Sequence, residues 1–227
     1  MHVIEIYQSK QGEGIWTGQD SVFVRFLGCH LHCRFCDTPY ARSGDEGIKL
    51  TIDEIIGRVL LHSAPHVVLT GGEPMMQPTI AELTKLLKEF DRQITIETSG
   101  TVYQPVICDL MSISPKLRNT IPLDADISTI QEHDRNRWKP EAMRQLIQRY
   151  NYQLKFVVDI EEDVREVEEY LLQLPGIMPN KVMQMPQATD AETMTQKAKW
   201  IEPYCDAKRY QYCPRMQLIW YGNKRRT

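Results

Sequence analysis

The sequence predicts a single α/β domain over residues 1–227, built of about six βα units on a parallel sheet, either open or closed into part of a barrel. Three observations carry this expectation. Short apolar stretches of strand character alternate with segments whose apolar residues recur at helical spacing. The unusual residue clusters fall just after the strand stretches. The composition is globular: 227 residues, 42% hydrophobic and 25% charged, are enough for a full hydrophobic core.

The elements follow in order. Strands are expected at residues 3–7 and 22–27, the second being Val-Phe-Val-Arg-Phe-Leu and ending at Gly28. Thr51-Ile-Asp-Glu54 has the pattern of a capping box, with Ile52, Ile55, Ile56, Val59 and Leu60 keeping a helical period behind it. A strand at 67–70 runs into Gly71-Gly72-Glu73-Pro74. Thr79-Ile-Ala-Glu82 reads as a second capping box, opening a helix with Ile80, Leu83, Leu86, Leu87 and Phe90 on one side. Strands at 94–98 and 110–113 stop at Ser99-Gly100 and at Ser114-Pro115-Lys116. Residues 117–138 are polar and read as a long surface loop. Pro140 suits the first turn of a helix reaching about residue 150. A strand at 153–158, a helix at 162–174 and a strand at 181–185 come next. Thr189-Asp-Ala-Glu192 reads as a third capping box, for a helix expected to end before Pro203, and a last strand is expected at 217–221.

In parallel α/β folds the loops after strands share one face. The odd residues are therefore placed around a single mouth. Residues 1–10 lack the basic and apolar regions of a secretory signal, and no stretch approaches the roughly 20 apolar residues of a membrane helix. The expected compartment is a reducing cytoplasm, with no membrane partner. A net charge of −3 provides no broad positive field, so no nucleic-acid partner is expected. Six cysteines in a reducing compartment point to metal or redox chemistry. Three of them form Cys29-x-x-x-Cys33-x-x-Cys36, and such thiolates suit zinc or an iron–sulfur centre. A closed zinc site needs a fourth ligand, and His30 and His32 each adjoin a cysteine, which would strain a shared tetrahedron. Three ligands on a four-iron cube would leave one iron open. The scattered Cys108, Cys205 and Cys213 read as small buried thiols.

With Phe35 before Cys36, this spacing resembles the signature of radical S-adenosylmethionine (SAM) enzymes, and Gly71-Gly72-Glu73 after a strand strengthens the likeness. Within that superfamily the chain is similar to the 7-carboxy-7-deazaguanine synthases. The match runs through Gln11-Gly12-Glu13-Gly14, Thr17-Gly18, Arg25, Gly28-Cys29, Cys36-Asp37-Thr38, Glu97-Thr98-Ser99-Gly100 and Ser114-Pro115-Lys116, densest over residues 8–116.

The resemblance implies a partial parallel β/α barrel of radical SAM type. It implies a [4Fe-4S] cluster on Cys29, Cys33 and Cys36, and SAM along Phe35, Cys36, Asp37, Gly72, Glu73, Gly100, Ser114, Pro115 and Lys116. Glu73 would meet the ligand's ammonium, and Thr38 would help hold Mg2+, a hard cation that prefers oxygen. A pterin-like substrate would lie along Lys10, Gln11, Gly12 and Glu13, with Arg25 gripping its carboxylate and Thr98 its ring. The implied activity is that of a carbon–nitrogen lyase, turning 6-carboxy-5,6,7,8-tetrahydropterin into 7-carboxy-7-deazaguanine with loss of ammonia, in queuosine or 7-deazapurine biosynthesis. A reductant such as flavodoxin and a homodimer are implied as partners. Lys10 departs from the apolar residue the family usually shows there, and the basic tail from Asn223 to Thr227 receives no assigned role, although family members can close their pocket with the chain end. Two other readings stand beside this one: an activase installing a glycyl radical on a partner enzyme, and a zinc-stabilised binding module without catalysis.

Overall fold

The protein is described from a computed structural model covering residues 1–222 and 224–227; Asn223, the first residue of the basic tail, lies outside the described residues. Nine strands form one sheet in the order β3-β1-β2-β4-β5-β6-β7-β8-β9. They span His2–Lys10 (β1), Asp20–Phe26 (β2), Ile48–Lys49 (β3), His66–Gly71 (β4), Gln93–Thr98 (β5), Leu110–Ile113 (β6), Tyr152–Val158 (β7), Val182–Pro186 (β8) and Gln211–Tyr212 (β9). From β2 to β9 every neighbouring pair is parallel, while β1 runs antiparallel to both β2 and β3. With β3 and β9 as its edges the sheet is open, as a partial barrel requires. The helices are Ile52–Leu60 (α1), Ile80–Glu89 (α2), Ile127–Asn136 (α3), Pro140–Arg149 (α4), Asp163–Leu172 (α5), Ala191–Lys208 (α6) and Met216–Tyr221 (α7). The crossover from β5 to β6 carries no helix. No described helix is long and apolar enough to cross a membrane.

Alternation along the strands assigns the two faces. Val22, Val24 and Phe26 of β2, Val67 and Leu69 of β4, Ile94 and Ile96 of β5, and Leu154, Phe156 and Val158 of β7 are all fully buried in the main core. The helices close over them with Ile55, Val59, Leu83, Leu87, Leu146 and Val167. The residues between these point the other way and are polar at the carboxyl ends. Arg25 pairs with Thr70 across β2 and β4, and Glu97 pairs with Ser112 across β5 and β6. Thr70 donates to Glu97 at 2.9 Å and Gln153 of β7 donates to Ser112 at 2.8 Å, so side-chain hydrogen bonds tie neighbouring strands along this inner row.

Five details differ from the sequence reading, each for a local reason. Residues 117–138 are no loop: Asp126 caps α3 by accepting from the Thr129 amide at 2.9 Å. The helix has few apolar residues and a polar buried one, His133, so its periodicity was weak. The first capping box forms fully at Thr51 and Glu54, but Thr79 makes no side-chain cap, because its backbone (φ −108°, ψ 21°) is not extended as a cap requires. At the third box the cap is Asp190, one residue later, accepting from the Thr193 amide at 2.7 Å. α6 runs on through Pro203, where burial of Ile201 and Cys205 on the core outweighs the roughly 3 kcal/mol of an interior proline. Residues 216–221 form α7 in place of a strand, with Leu218 packed on Ala188 and Met194; a short apolar run has no period to separate the two states.

Candidate active site

The loop after β2 carries the three cysteines, and the structure clamps it from two sides. On one side is the turn after β4. The Gly72 amide donates to the Phe26 carbonyl at 3.0 Å, the Glu73 amide to the Gly28 carbonyl at 2.8 Å, and the Gly28 amide to the Ala41 carbonyl at 2.9 Å. A Cβ on Gly71 would lie 2.3 Å from the Phe26 backbone, and one on Gly72 would lie 2.1 Å from the Gly28 carbonyl oxygen. Both glycines are thus demanded by contact between two loops of the chain itself. On the other side stands the segment first read as a loop. The His32 amide donates to Nδ1 of His133 at 3.0 Å and the Arg34 amide to the Thr120 carbonyl at 2.9 Å, so residues on either side of Cys33 are pinned. Burial, reinforced by Arg137 and His32, pulls the His133 imidazole down to about 4 and keeps it neutral and able to accept.

One cavity of about 450 Å³ opens on the carboxyl ends of the strands. Cys29, Cys33, Phe35, Cys36, Asp37, Thr38, Gly72, Ser114, Pro115 and Lys116 line it, and so do Lys10, Gln11, Gly12, Glu13, Arg25 and Thr98. Of the sequence-predicted residues, Glu73 and Gly100 are absent from its wall. Glu73 is buried with a saturated carboxylate. It accepts from the Thr98 hydroxyl at 2.7 Å, from the Ser99 amide at 2.8 Å and hydroxyl at 2.5 Å, and from the Met75 amide at 3.1 Å. Gly100 sits behind Thr98, against Ile113 and Met143.

The turn at 11–14 is held by a network that sequence reading missed. The Gln11 side chain donates from Nε2 to Glu97 at 3.0 Å, and its Oε1 accepts from the Glu13 amide at 3.1 Å. Glu13 takes Lys155 at 2.8 Å, Gln217 at 2.7 Å and Arg215 at 3.3 Å. Burial pushes the Glu13 carboxyl up, but Lys155 and Arg215 outweigh it and hold it well below the carboxylate range. Arg215 also donates to Asp37 at 2.8 Å and to the Ala188 carbonyl at 2.8 Å, which ties this turn to the segment after Cys36. Gly12 accommodates the tail-side chain, since a Cβ there would strike Gln217. Arg25 donates from Nε to Glu5 at 2.7 Å and from Nη2 to Tyr7 at 3.3 Å. Glu5 also receives Arg225 and Arg226 of the tail at 3.0 Å each, and Tyr40 at 3.2 Å. A lysine inside the apolar strand Gln-Leu-Lys-Phe-Val-Val was the one sequence signal for Lys155; nothing local marked Glu5, Arg215 or Gln217.

The family model of the radical SAM superfamily matches residues 23–151. A protein of Rhodopirellula baltica named 7-carboxy-7-deazaguanine synthase is 42% identical, over 99% of this chain and 88% of the relative's own length. This chain belongs to the 7-carboxy-7-deazaguanine synthase family. A Halobacterium salinarum member of the same name is 32% identical, over 98% of this chain and 91% of its own. The crystal structure of QueE from Escherichia coli shares the fold, with a TM-score of 0.72 at 22% identity, over 95% of this chain and 93% of that one. As a radical SAM lyase of this family, the chain takes a [4Fe-4S] cluster and SAM as cofactors.

The residues fit that cluster. All six cysteines are free, and three of them line one cavity wall. Burial pushes the Cys29 thiol up to about 12 and the Cys33 thiol up to about 11, so these sulfurs stay protonated until a metal takes them. A four-iron cube takes its thiolates at separate corners, so soft sulfurs spread around one loop suit it.

Proposed function

We infer that this protein converts 6-carboxy-5,6,7,8-tetrahydropterin to 7-carboxy-7-deazaguanine with loss of one ammonia. One observation carries the reading. A single cavity brings Cys29, Cys33, Cys36 and Ser114-Pro115-Lys116 together with the turn at 11–13, Arg25 and Thr98. Cofactor-type and pterin-type residues therefore face one space. When bound, the cluster and SAM supply a carbon-centred radical that starts the ring contraction.

The chain's own residues bind, orient and exclude water. Arg25 has its Nε edge committed to Glu5, which fixes the guanidinium plane and leaves Nη1 for the substrate carboxylate. Gln11 and Glu13 are held by Glu97, Lys155 and Gln217, so a pterin edge meets a rigid turn. Thr98 donates its proton to Glu73 and accepts from the Gly100 amide at 3.0 Å, which holds it fixed on the cavity wall. Glu73 acts through Thr98 and Ser99, holding the end of β5 in place. The Thr38 hydroxyl, 3.4 Å from Asp37, offers an oxygen for Mg2+. We assign the protein to a reducing cytoplasm, which the six free cysteines support, and take it to be a homodimer served by a flavodoxin-type reductant, as the resemblance implies.

The test is anaerobic reconstitution with iron and sulfide, followed by mass spectrometry of the product from the carboxylated tetrahydropterin, with and without Mg2+. The expected outcome is 7-carboxy-7-deazaguanine at full yield only with Mg2+, and neither iron–sulfur absorbance nor product from Cys36→Ala. Turnover by a colourless Cys36→Ala enzyme would sink the reading.

A further inference from the structure

We propose that Glu97 is a specificity-determining residue. Its carboxylate takes the donor edge of the substrate ring, the 2-amino group and the ring N–H beside it, at the end opposite the carboxylate that Arg25 binds. The proposal rests on the function inferred above and deepens it. Glu97 lies near the end of β5, one residue before Thr98. Thr98 is buried, whereas Glu97 is partly open and lines the main cavity.

Three acids stand on that cavity wall: Glu13, Asp37 and Glu97. Glu13 is paired with Lys155 and Arg215, and Asp37 with Arg215. The Glu97 carboxylate has only neutral donors among the described residues. Gln11 Nε2 reaches one oxygen at 3.0 Å and the Thr70 hydroxyl reaches the other at 2.9 Å. A carboxylate has about four acceptor positions, so roughly two remain open. Glu73 makes the contrast: it accepts four hydrogen bonds and is absent from the wall. The two bonds to Glu97 come from different elements, the 11–14 turn and β4, and they fix its plane. An oriented carboxylate with open lone pairs takes a flat edge of two N–H donors as it takes a guanidinium.

The wall also matches the two ends of the substrate. Arg25 pairs with Thr70 across β2 and β4, and Thr70 donates to Glu97 on β5, so Thr70 stands between the cation and the acid. Two strand spacings separate them, about 10 Å. A bicyclic ring with its carboxylate at position 6 and its amino group at position 2 carries anion and donors at opposite ends. Turned the other way, the substrate carboxylate would face Glu97 and be repelled. A carbonyl in place of the 2-amino group would set oxygen against oxygen.

Anaerobic calorimetric titration tests this assignment. 6-Carboxy-5,6,7,8-tetrahydropterin is compared with 6-carboxy-5,6,7,8-tetrahydrolumazine, which carries a carbonyl in place of the 2-amino group. The enzyme is reconstituted and loaded with SAM, with its cluster left oxidised to prevent turnover. The wild type is expected to hold the amino compound at least about tenfold more tightly. Glu97→Gln, whose amide can donate to the carbonyl, should bring the ratio within about twofold or reverse it. Glu97→Asp, which withdraws the carboxylate, should lower the ratio in part. Equal weakening of both compounds by Glu97→Gln overturns the proposal, because a carboxylate that only braces strands or holds a cation acts on both alike. A wild type without preference, or one that binds neither compound, overturns it too. Should Glu97→Gln fail to take up iron, Glu97→Asp decides: a lower ratio supports the proposal and an unchanged one overturns it. If the ratio follows Glu97 but the active enzyme forms no 7-carboxy-7-deazaguanine, the functional reading fails and the ring recognition stands. Product formation with a ratio indifferent to Glu97 is the reverse.

Discussion

Two carboxylates beside the cavity are shielded from water, Glu5 fully and Glu13 in large part, and the protein holds them in different ways. Glu13 sits among partners as dry as itself: the Lys155 side chain is 5% exposed and that of Arg215 is 16% exposed. Glu5 is also buried, with Arg25 beside it, but its other two cations belong to the tail, and the Arg226 side chain is 60% exposed. Removing a tail arginine from Glu5 returns a charge to water and leaves Arg25 as counter-ion. Removing Glu13 leaves Lys155 buried with no such escape. One hub is a fixed joint between the 11–14 turn, β7 and the segment after β9, while the other is a latch that the chain end can leave. Burial of the partners, more than burial of the carboxylate, separates the two.

Glu13→Ala should have the largest effect. It strands Lys155 and one edge of Arg215, at a cost of about 3–5 kcal/mol, read as a lowered midpoint in urea unfolding. A loss below about 1 kcal/mol would make this hub as soft as the other. Acid should separate the hubs next. Both carboxyls are held below their ordinary value of 4.5, Glu13 much further than Glu5. At Glu5, burial raises the carboxyl and the three arginines outweigh it. A depressed carboxyl contributes stability in full above its unfolded value and loses it as pH falls through its folded value. The Glu5 latch should therefore open first on acidification. Hydrogen exchange at residues 224–227 should rise at a higher pH than exchange in β7, and simultaneous release would erase the distinction. Arg226→Ala should do least, below about 1 kcal/mol and less still in high salt, because exposed ion pairs are screened. A cost matching that of Glu13→Ala would break the comparison.

The first half of the chain was legible because its signals are local. Thr51 and Glu54 cap α1 as their spacing indicates, β4 covers the expected 67–70 with one residue more at each end, and the motif loops do gather at one mouth. The segment at 117–138 was opaque because α3 buries a histidine and few apolar residues, so its part in pinning Cys33 left no periodic trace. Further on, the helix opening near residue 190 is as expected, but its end and the segment at 216–221 differ. Pro203 and the Gln-Leu-Ile-Trp-Tyr run give local cues that packing on β8, β9 and Met194 overrides. The glycines show a subtler gap. Gly72 was expected along SAM, and the structure shows that Gly71 and Gly72 are also required by close contact with Phe26 and Gly28.

By itself the sequence determined the α/β class, the family, the triplet of sulfurs and the motif residues that share the cavity wall with them. Each of these depends on residues close together in the chain or on spacing that survives without coordinates. Tertiary structure alone decided which charges meet. Glu13 and Arg215 are separated by most of the chain, as are Glu5 and Arg225, and a salt bridge leaves no pattern in the spacing of its partners. It also decided that Glu73 is turned inward to Thr98 and Ser99, since the direction of a side chain at the end of a strand is set by the donors that neighbouring strands bring to it.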